Sequence, residues 1–457
     1  MNQSTPMTDD AYYSYLEAVE YIESFLPASG LEGWRLMLKR FGNPQENFRS
    51  VHVAGTSGKG SVALMTGEIL RASGLRVGVH VKPYVQSATE NIIIDGRYIS
   101  CGNYAGLIER VKPVLADMTP KEYSRFGPIT WSEVTKLLPL LSFAEARVDC
   151  GVVEAGVGGR EDLTNVLRPE VSVITSVGMD HSDLLGGTID VIAHQKAGII
   201  KHGVPCVTAV RQRGALEIIS AEAEQRGSRL SILGRDFKVR VTKVGLDGTE
   251  FDYRSKDRRL EKVKLGMVGR HQAMNAAVAI TAADEMARTS GKVDERVIRA
   301  GLADARLPGR FELVQEKPPV ILDVAHNVQK VGVLMNVLND VFGKRKVTFV
   351  LGFLEGKDAR RMVWLLTRSA RHFVFTNPTV RGKKPIDPGL LKNLAGKLTD
   401  VPSLVDPNPM SAMEKALGLA GDRGIVCVTG SLYLVGKVRG KWFEVREVAE
   451  GRSSYPS

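Results

Sequence analysis

The sequence predicts an α/β fold in two domains. The larger is built on a mostly parallel sheet with a peripheral antiparallel excursion, and the smaller is a second α/β unit at the C-terminal end. Three observations predict it. At residues 51–62 a buried-strand pattern runs into a glycine-rich turn and then a helix. Apolar runs of strand length, bounded by glycine, proline or charge, recur at 148–153, 171–177 and 204–210 with helical stretches between them, the pattern of parallel strands covered on both faces. A second strand–helix series begins at Val320.

In chain order, residues 11–40 carry helical periodicity around a break at 27–30, and 41–45 is a turn before the first strand. After the glycine-rich turn and its helix, 74–80 reads as a second strand, which makes a βαβ unit and predicts parallel pairing of the two strands. Alternation over 237–267 around Asp247-Gly248 predicts the antiparallel excursion, and alanine-rich helix follows at 272–287. The second series, at 320–323, 346–351, 372–376 and 425–429, predicts a smaller Rossmann-like domain. A chain of 457 residues exceeds one ordinary core. Turn residues at 307–310 place the boundary there, giving domains 1–306 and 307–457.

Composition narrows the class. With 43% hydrophobic and 25% charged residues and no apolar run of bilayer length, the chain reads as globular, with no membrane partner. Residues 1–10 lack the pattern of a secretory signal, so the expected compartment is the cytoplasm. The four cysteines are scattered without C-x-x-C spacing, which indicates neither a zinc site nor a disulfide framework. The net charge of +11 is dispersed and only 6% of residues are aromatic, which favours small anions over nucleic acid as partners.

Residues 51–62 read as a phosphate cradle of the P-loop ATPase kind. Gly55, Gly58 and Gly60 let backbone N–H groups converge, with Thr56 and Ser57 between them. Lys59 supplies a cation, and Ser61 opens a helix whose N-terminal dipole favours an anion. The usual spacing G-x-x-x-x-G-K-[ST] is not met: Val53 stands at its first glycine, and Gly60 separates Lys59 from Ser61. After the strand at 148–153, Glu154 sits where parallel sheets bind ligands, and is a candidate holder of the Mg²⁺ that accompanies a nucleotide; Asp162 and Asn165 follow. His181 ends the next strand–loop and Lys196 lies beyond it. These segments give a nucleotide-dependent enzyme using one or more divalent cations.

The motifs His52-Val-Ala-Gly-Thr-Ser-Gly-Lys-Gly-Ser61, Glu154-Ala-Gly-Val-Gly-Gly-Arg160, Gly178-Met-Asp-His181 and Lys196-Ala-Gly-Ile-Ile200 resemble those of folylpolyglutamate synthase/dihydrofolate synthase, within the Mur ligase superfamily. Gly269-Arg-His-Gln-Ala-Met-Asn275, Pro308-Gly-Arg-Phe-Glu312, Leu322-Asp-Val-Ala-His-Asn327 and Gly430-Ser-Leu-Tyr-Leu-Val435 extend the match in order along the chain. The resemblance implies a ligase that uses ATP to activate a folate-type carboxylate as an acyl phosphate, which the amine of glutamate then attacks. It implies the same reaction on dihydropteroate as a further activity.

By position, it assigns Lys59 and the cradle backbone to the ATP phosphates and Ser61 with Glu154 to one Mg²⁺. His181 is assigned to a second Mg²⁺, with Lys196 carbamylated. A carbamate turns that cation into an oxygen ligand suited to Mg²⁺. Asn275 is assigned to the adenine, Asp323 to the nucleotide, and Arg310 and His326 to the phosphates, with Arg310 arriving on domain closure. A monomer is expected.

The chain departs from the family pattern at four places. Ser57 stands where Asn is usual, and Val324 where Gly follows the Asp. Asn91 replaces an arginine, and Lys82 replaces a serine that approaches Mg²⁺. An ammonium beside Mg²⁺ repels it. Lys82 therefore points away, replaces part of the cation's charge, or marks a different carboxylate substrate. The alternatives to a folate ligase are a paralogue joining another amine to a non-folate carboxylate, and a non-catalytic nucleotide-binding module.

Overall fold

The computed structural model describes residues 9–25, 31–119, 122, 129–179, 186–290, 293–378, 380 and 382–455. Among these, an eight-stranded sheet and a three-stranded sheet precede Arg310, and a six-stranded sheet follows it. The large sheet has the order β4-β3-β2-β5-β1-β6-β7-β8. Its strands are β1 (Arg49–Ala54), β2 (Val77–His80), β3 (Ile92–Ile94), β4 (Arg97–Tyr98), β5 (Cys150–Glu154), β6 (Val171–Ile174), β7 (Cys206–Thr208) and β8 (Leu230–Ile232). The central strands are buried on both faces, which is why they read as unbroken apolar runs.

One pairing differs from the sequence reading. β1 and β2 are parallel members of one sheet but do not touch, because β5 lies between them: Val51 pairs with Val152, and Val152 with Val79. The crossover helix α3 (Lys59–Ala72) is about 10 Å across, twice the strand spacing, so a right-handed βαβ unit closes as readily over an intervening strand as over none. Nothing in a local pattern distinguishes the two cases. The parallel sheet also ends in antiparallel strands, β2–β3 and β3–β4, that the apolar runs did not announce.

Helices cover both faces. On one side α3 packs with α8 (Arg270–Ser290) and α9 (Glu295–Ala303), and Ala276, Ala279 and Ala283 are fully buried there. On the other lie α1 (Asp9–Glu23), α2 (Leu31–Arg40), α4 (Cys101–Ala116) and α5 (Trp131–Glu145), around Trp34, Tyr104 and Leu137. The break expected at 27–30 falls outside the described residues. α5 starts on a capping box in which Thr130 and Glu133 satisfy each other's backbone N–H. α6 (Ile189–Ala197) and α7 (Arg213–Gln225) flank the β6–β7 side. The antiparallel excursion is a separate sheet of β9 (Phe237–Gly245), β10 (Gly248–Ser255) and β11 (Arg259–Leu265), turning at Leu246-Asp247.

The second sheet, β12-β13-β17-β14-β15-β16, is parallel except for β12 (Glu312–Glu316) against β13 (Pro319–Leu322). β14 (Val347–Leu351), β15 (Ala370–Phe375), β16 (Ser403–Val405) and β17 (Val426–Thr429) complete it. The helices α10 (Val328–Phe342), α11 (Ala359–Thr367), α12 (Pro388–Gly396), α13 (Pro409–Ala420) and α14 (Leu432–Arg439) cover its faces. After α15 (Val445–Glu450), the end of the chain returns to the large sheet, where Tyr98 N–H donates to Arg452 O at 3.0 Å. Among the described residues no helix is long and apolar enough to cross a membrane.

Candidate active site

The cradle is formed where β1 ends, and its shape is set by glycine. Gly58 caps α3 at φ 87°, a left-handed conformation, and a Cβ there would come within 2.7 Å of Asn275 Oδ1. Gly55 packs so closely on Thr175 that a Cβ would overlap its hydroxyl. The loop after β6 pins the cradle from below. Thr56 N–H donates to Ser176 O at 2.9 Å, Ser57 N–H to Ser176 Oγ at 2.9 Å, and Thr175 Oγ1 to Ser57 O at 2.7 Å. Thr56 Oγ1 accepts from Gly178 N–H at 3.0 Å. Thr175 and Ser176 are thus part of the phosphate loop's support, a role their sequence context did not reveal.

Lys59 Nζ donates to Gly55 O at 2.9 Å and stands 3.8 Å from Glu154 Oε1. Glu154 projects from the end of β5, where register puts it beside Val53. Its Oε2 accepts the Lys82 N–H at 3.0 Å, and a Cβ on Gly60 would lie 3.1 Å from the same oxygen. Burial raises the Glu154 carboxyl, against the pull of Lys59, the Lys82 N–H, the Lys82 charge and Arg310. Ser61 is buried in the first turn of α3.

Hydroxyl and carboxylate oxygens are the hard donors Mg²⁺ takes, and this ion is usually held by one or two carboxylates together with substrate phosphates and water. Ser61 and Glu154 fit that pattern, and the buried Ser57 Oγ, which has no partner, leaves a polar group at the cradle for a ligand to satisfy. Among the described residues no cluster of three or more His, Cys, Asp or Glu forms a ready-made metal cage. Lys196 is buried in the last turn of α6, beneath the loop that follows Glu154: Arg160 N–H donates to Gln195 O at 2.7 Å, and a Cβ on Gly159 would lie 3.2 Å from Lys196 Cα. His181 lies outside the described residues.

The second domain contributes three of the expected residues. Arg310 lines a cavity of about 340 Å³ together with Gly60, Lys82 and Arg306, and its charge and that of Glu154 act on each other. Asp323 accepts the Phe311 N–H on one oxygen and the Ala325 N–H on the other, both at 2.9 Å, which fixes the turn that carries Arg310. Burial raises Asp323 to about 6, against the effect of Arg310 and these bonds. His326 is held from both sides, Nδ1 on Val324 O at 2.8 Å and Nε2 on Lys330 Nζ at 3.1 Å. Nearby, Gln329 reaches Gly178 from across the domain boundary. Asn275 lies against Gly58, its amide donating to Gln272 Oε1 at 2.9 Å, so it contacts the cradle itself.

Residues 53–283 match the Mur ligase middle domain, and 309–432 match the Mur ligase glutamate ligase domain. The dihydrofolate synthase/folylpolyglutamate synthase of Bacillus subtilis is 35% identical over 418 residues, spanning 90% of this chain and 94% of that protein. The chain belongs to the folylpolyglutamate synthase/dihydrofolate synthase family of Mur ligases. The folylpolyglutamate synthase of Lacticaseibacillus casei is 34% identical, over 93% of this chain and 98% of that protein. The Thermotoga maritima folylpolyglutamate synthase superposes with a TM-score of 0.83 at 33% identity, covering 94% of this chain and 97% of that one. The Mycobacterium tuberculosis folylpolyglutamate synthase complexed with ADP gives 0.89 at 28% identity, covering 95% and 99%.

This chain is therefore an ATP-dependent ligase. The Lys82 ammonium lies beside Gly156, where a Cβ would overlap it, close to Asp162 and Lys136, and its charge still acts on Glu154. Lys136 is a residue the sequence reading missed. Its signal was present, as a lone lysine in the apolar helical run that includes Val134, Leu137, Leu138 and Leu141.

Proposed function

We propose that this chain joins glutamate to the terminal carboxylate of a folate through an acyl phosphate. The observation that carries the reading is the pairing of Lys59 with Glu154 at the glycine-rich cradle, with Arg310, whose charge acts on Glu154, lining a cavity together with Gly60. A carboxylate oxygen of the acceptor attacks the γ-phosphorus of ATP, the bond to the β-phosphate oxygen breaks, and ADP leaves. The amine of glutamate then attacks the acyl carbon, phosphate departs, and the amine gives up a proton.

Lys59 and the cradle N–H groups hold the phosphates, and Arg310 offsets charge on the group in transfer. Mg²⁺ held by Ser61 and Glu154 would neutralise the phosphate oxygens. A second ion would take His181 and a carbamylated Lys196. We take 1–306 as the ATP-binding unit and 307–457 as the unit that receives glutamate. The names of the relatives support the acceptor class: they include folylpolyglutamate synthases, dihydrofolate synthases and a solved complex with AMPPCP and folate.

Phosphate release measured with tetrahydrofolate or dihydropteroate, ATP and glutamate tests the reading. Acceptor-dependent release is expected; background release with both acceptors would overturn the folate assignment. Carbamylation is tested by ¹³C NMR after exchange with labelled bicarbonate, where a carbamate resonance that disappears in Lys196→Ala is expected.

A further inference from the structure

Arg310 sits in a turn that has to be held. Gly309 and Phe311 on either side of it are left-handed, at φ 65° and 48°, and for Phe311, which carries a Cβ, that conformation persists only where the surroundings over-determine it. Two carboxylates do this. Asp323 accepts the Phe311 N–H at 2.9 Å, and Glu312 Oε2 accepts the Gly309 N–H at 2.8 Å. Asp323 directly follows β13, within the same sheet. Glu312 is fixed from further away: both its oxygens accept from Arg439 Nε, at 2.9 and 3.1 Å, and Arg439 is fully buried at the end of α14.

Arg439 is fixed in turn by the chain beyond α15. Its Nη2 donates to Ser454 O at 2.5 Å, its Nη1 donates to Gln86 Oε1, and its guanidinium lies 5.4 Å from the centre of the Tyr455 ring. Residues 452–455 are themselves tied to the edge of the large sheet. Tyr98 N–H donates to Arg452 O at 3.0 Å, Arg452 Nε donates to Tyr98 O at 2.7 Å, and the Tyr98 and Ser454 hydroxyls are hydrogen-bonded to each other. One connected polar network therefore runs from β4 through residues 452–455 and Arg439 to the turn that carries Arg310. Ser454 and Tyr455 also line the same cavity as Pro308 and Arg310. A buried ion pair is a poor source of stability, because apolar side chains of similar volume do as well or better; a fully satisfied buried network supplies fixed geometry.

We propose that residues 452–455 are a positioning strap for Arg310. By holding Arg439 they set Glu312, which holds Gly309 and with it the turn from which Arg310 acts on the group in transfer. The strap residues are positioning residues and act only through Arg310. Tyr98 and Gln86 belong to the large-sheet unit and Glu312 to the second, so the strap also sets the register of the two units at the Arg310 turn. The proposal rests on the role given to Arg310 in the ligase reading above and extends it to what places that residue.

The test compares the full chain with a chain ending at Gly451, each with and without Arg310→Ala. With Arg310 present, the shortened chain should lose roughly tenfold to a hundredfold in kcat for acceptor-dependent ATP turnover, the scale of a misplaced catalytic group, while calorimetric ADP affinity stays unchanged. With Arg310→Ala, shortening should cost nothing further, because both changes remove one function; a merely structural role would make the two losses multiply. Unchanged kcat, multiplying losses, or full turnover in Arg310→Ala alone overturns the strap and leaves the folate assignment standing. Hydrogen exchange gives a readout independent of turnover. The shortened chain should exchange faster over residues 308–312 and at the same rate over 55–61, and equal exchange over 308–312 overturns the proposal. If the full chain turns over neither tetrahydrofolate nor dihydropteroate, the folate assignment fails and hydrogen exchange alone decides the strap. Should the shortened chain not fold, Tyr98→Phe, which removes one hydroxyl from the network, is carried through the same measurements and judged by the same outcomes.

Discussion

Lys59 Nζ stands 3.8 Å from Glu154 Oε1, with the two side chains 15% and 5% exposed, so the cation of the phosphate cradle and the carboxylate at the end of β5 share one buried space. Each offsets the burial of the other. Lys59→Ala removes the phosphate cation and the largest of the attractions that oppose the effect of burial on the Glu154 carboxyl. Acceptor-dependent ATP turnover should fall by roughly 10²- to 10³-fold, with unchanged secondary structure by circular dichroism. A variant that keeps wild-type turnover would remove Lys59 from the mechanism.

The contact between Gly58 and Asn275 makes a second prediction. Gly58→Ala forces a left-handed φ of 87° on a residue with a Cβ, about 1–2 kcal/mol of strain, and drives that Cβ into the Asn275 amide. ADP affinity measured by calorimetry should drop at least tenfold. Adding Asn275→Ala relieves the collision but not the dihedral, so the double variant should recover only part of the loss.

Arg439 and Glu312 form an ion pair at 2.9 Å with side-chain exposures of 0% and 3%. Arg439 also donates to Gln86 of the larger domain and to Ser454 O, and it lies 4.3 Å from the Phe443 ring. Arg439→Met leaves Glu312 buried without its cation and should cost about 3–5 kcal/mol in urea unfolding. Pairing it with Glu312→Gln should restore much of that loss, because the uncompensated charge goes.

His52 and His80 predict an acid limb of stability. Burial pushes them down to about 4 and about 3, so between pH 6.5 and these values the unfolded chain binds protons that the folded chain refuses. Stability should therefore fall as pH drops below 6.5, by up to about 1.4 kcal/mol per pH unit for each histidine. Denaturant titrations from pH 7 to 4.5 should show a shallower slope in His52→Gln than in wild type. Parallel slopes would refute the assignment to His52.

Much of the candidate site was legible because its parts are local. Gly55 to Ser61 are contiguous, Glu154 ends a run of apolar residues, and each apolar run read as a parallel strand holds one, while the short parallel strands β8 and β16 went unread. Local sequence fixes the dihedrals of a cradle and the period of a strand. The pairing of β1 and β2 failed for the complementary reason: strand order depends on where β5, some seventy residues downstream of β2, inserts. The antiparallel edge strands β3 and β4 are three and two residues long, too short for periodicity to mark.

By itself, then, the sequence determined two α/β units, a phosphate cradle of unusual spacing, and an amide-forming ligase family, because contiguous motifs carry those properties. The tertiary structure decided which distant residues share a charge. It set Arg310 within reach of Glu154 across the domain boundary, engaged both oxygens of Asp323 in the turn that holds Arg310, and laid Lys136 beside Lys82. Such neighbours are separated by tens to hundreds of residues, and only the packing of helices on the sheet brings their charges together, where low dielectric makes their coupling strong.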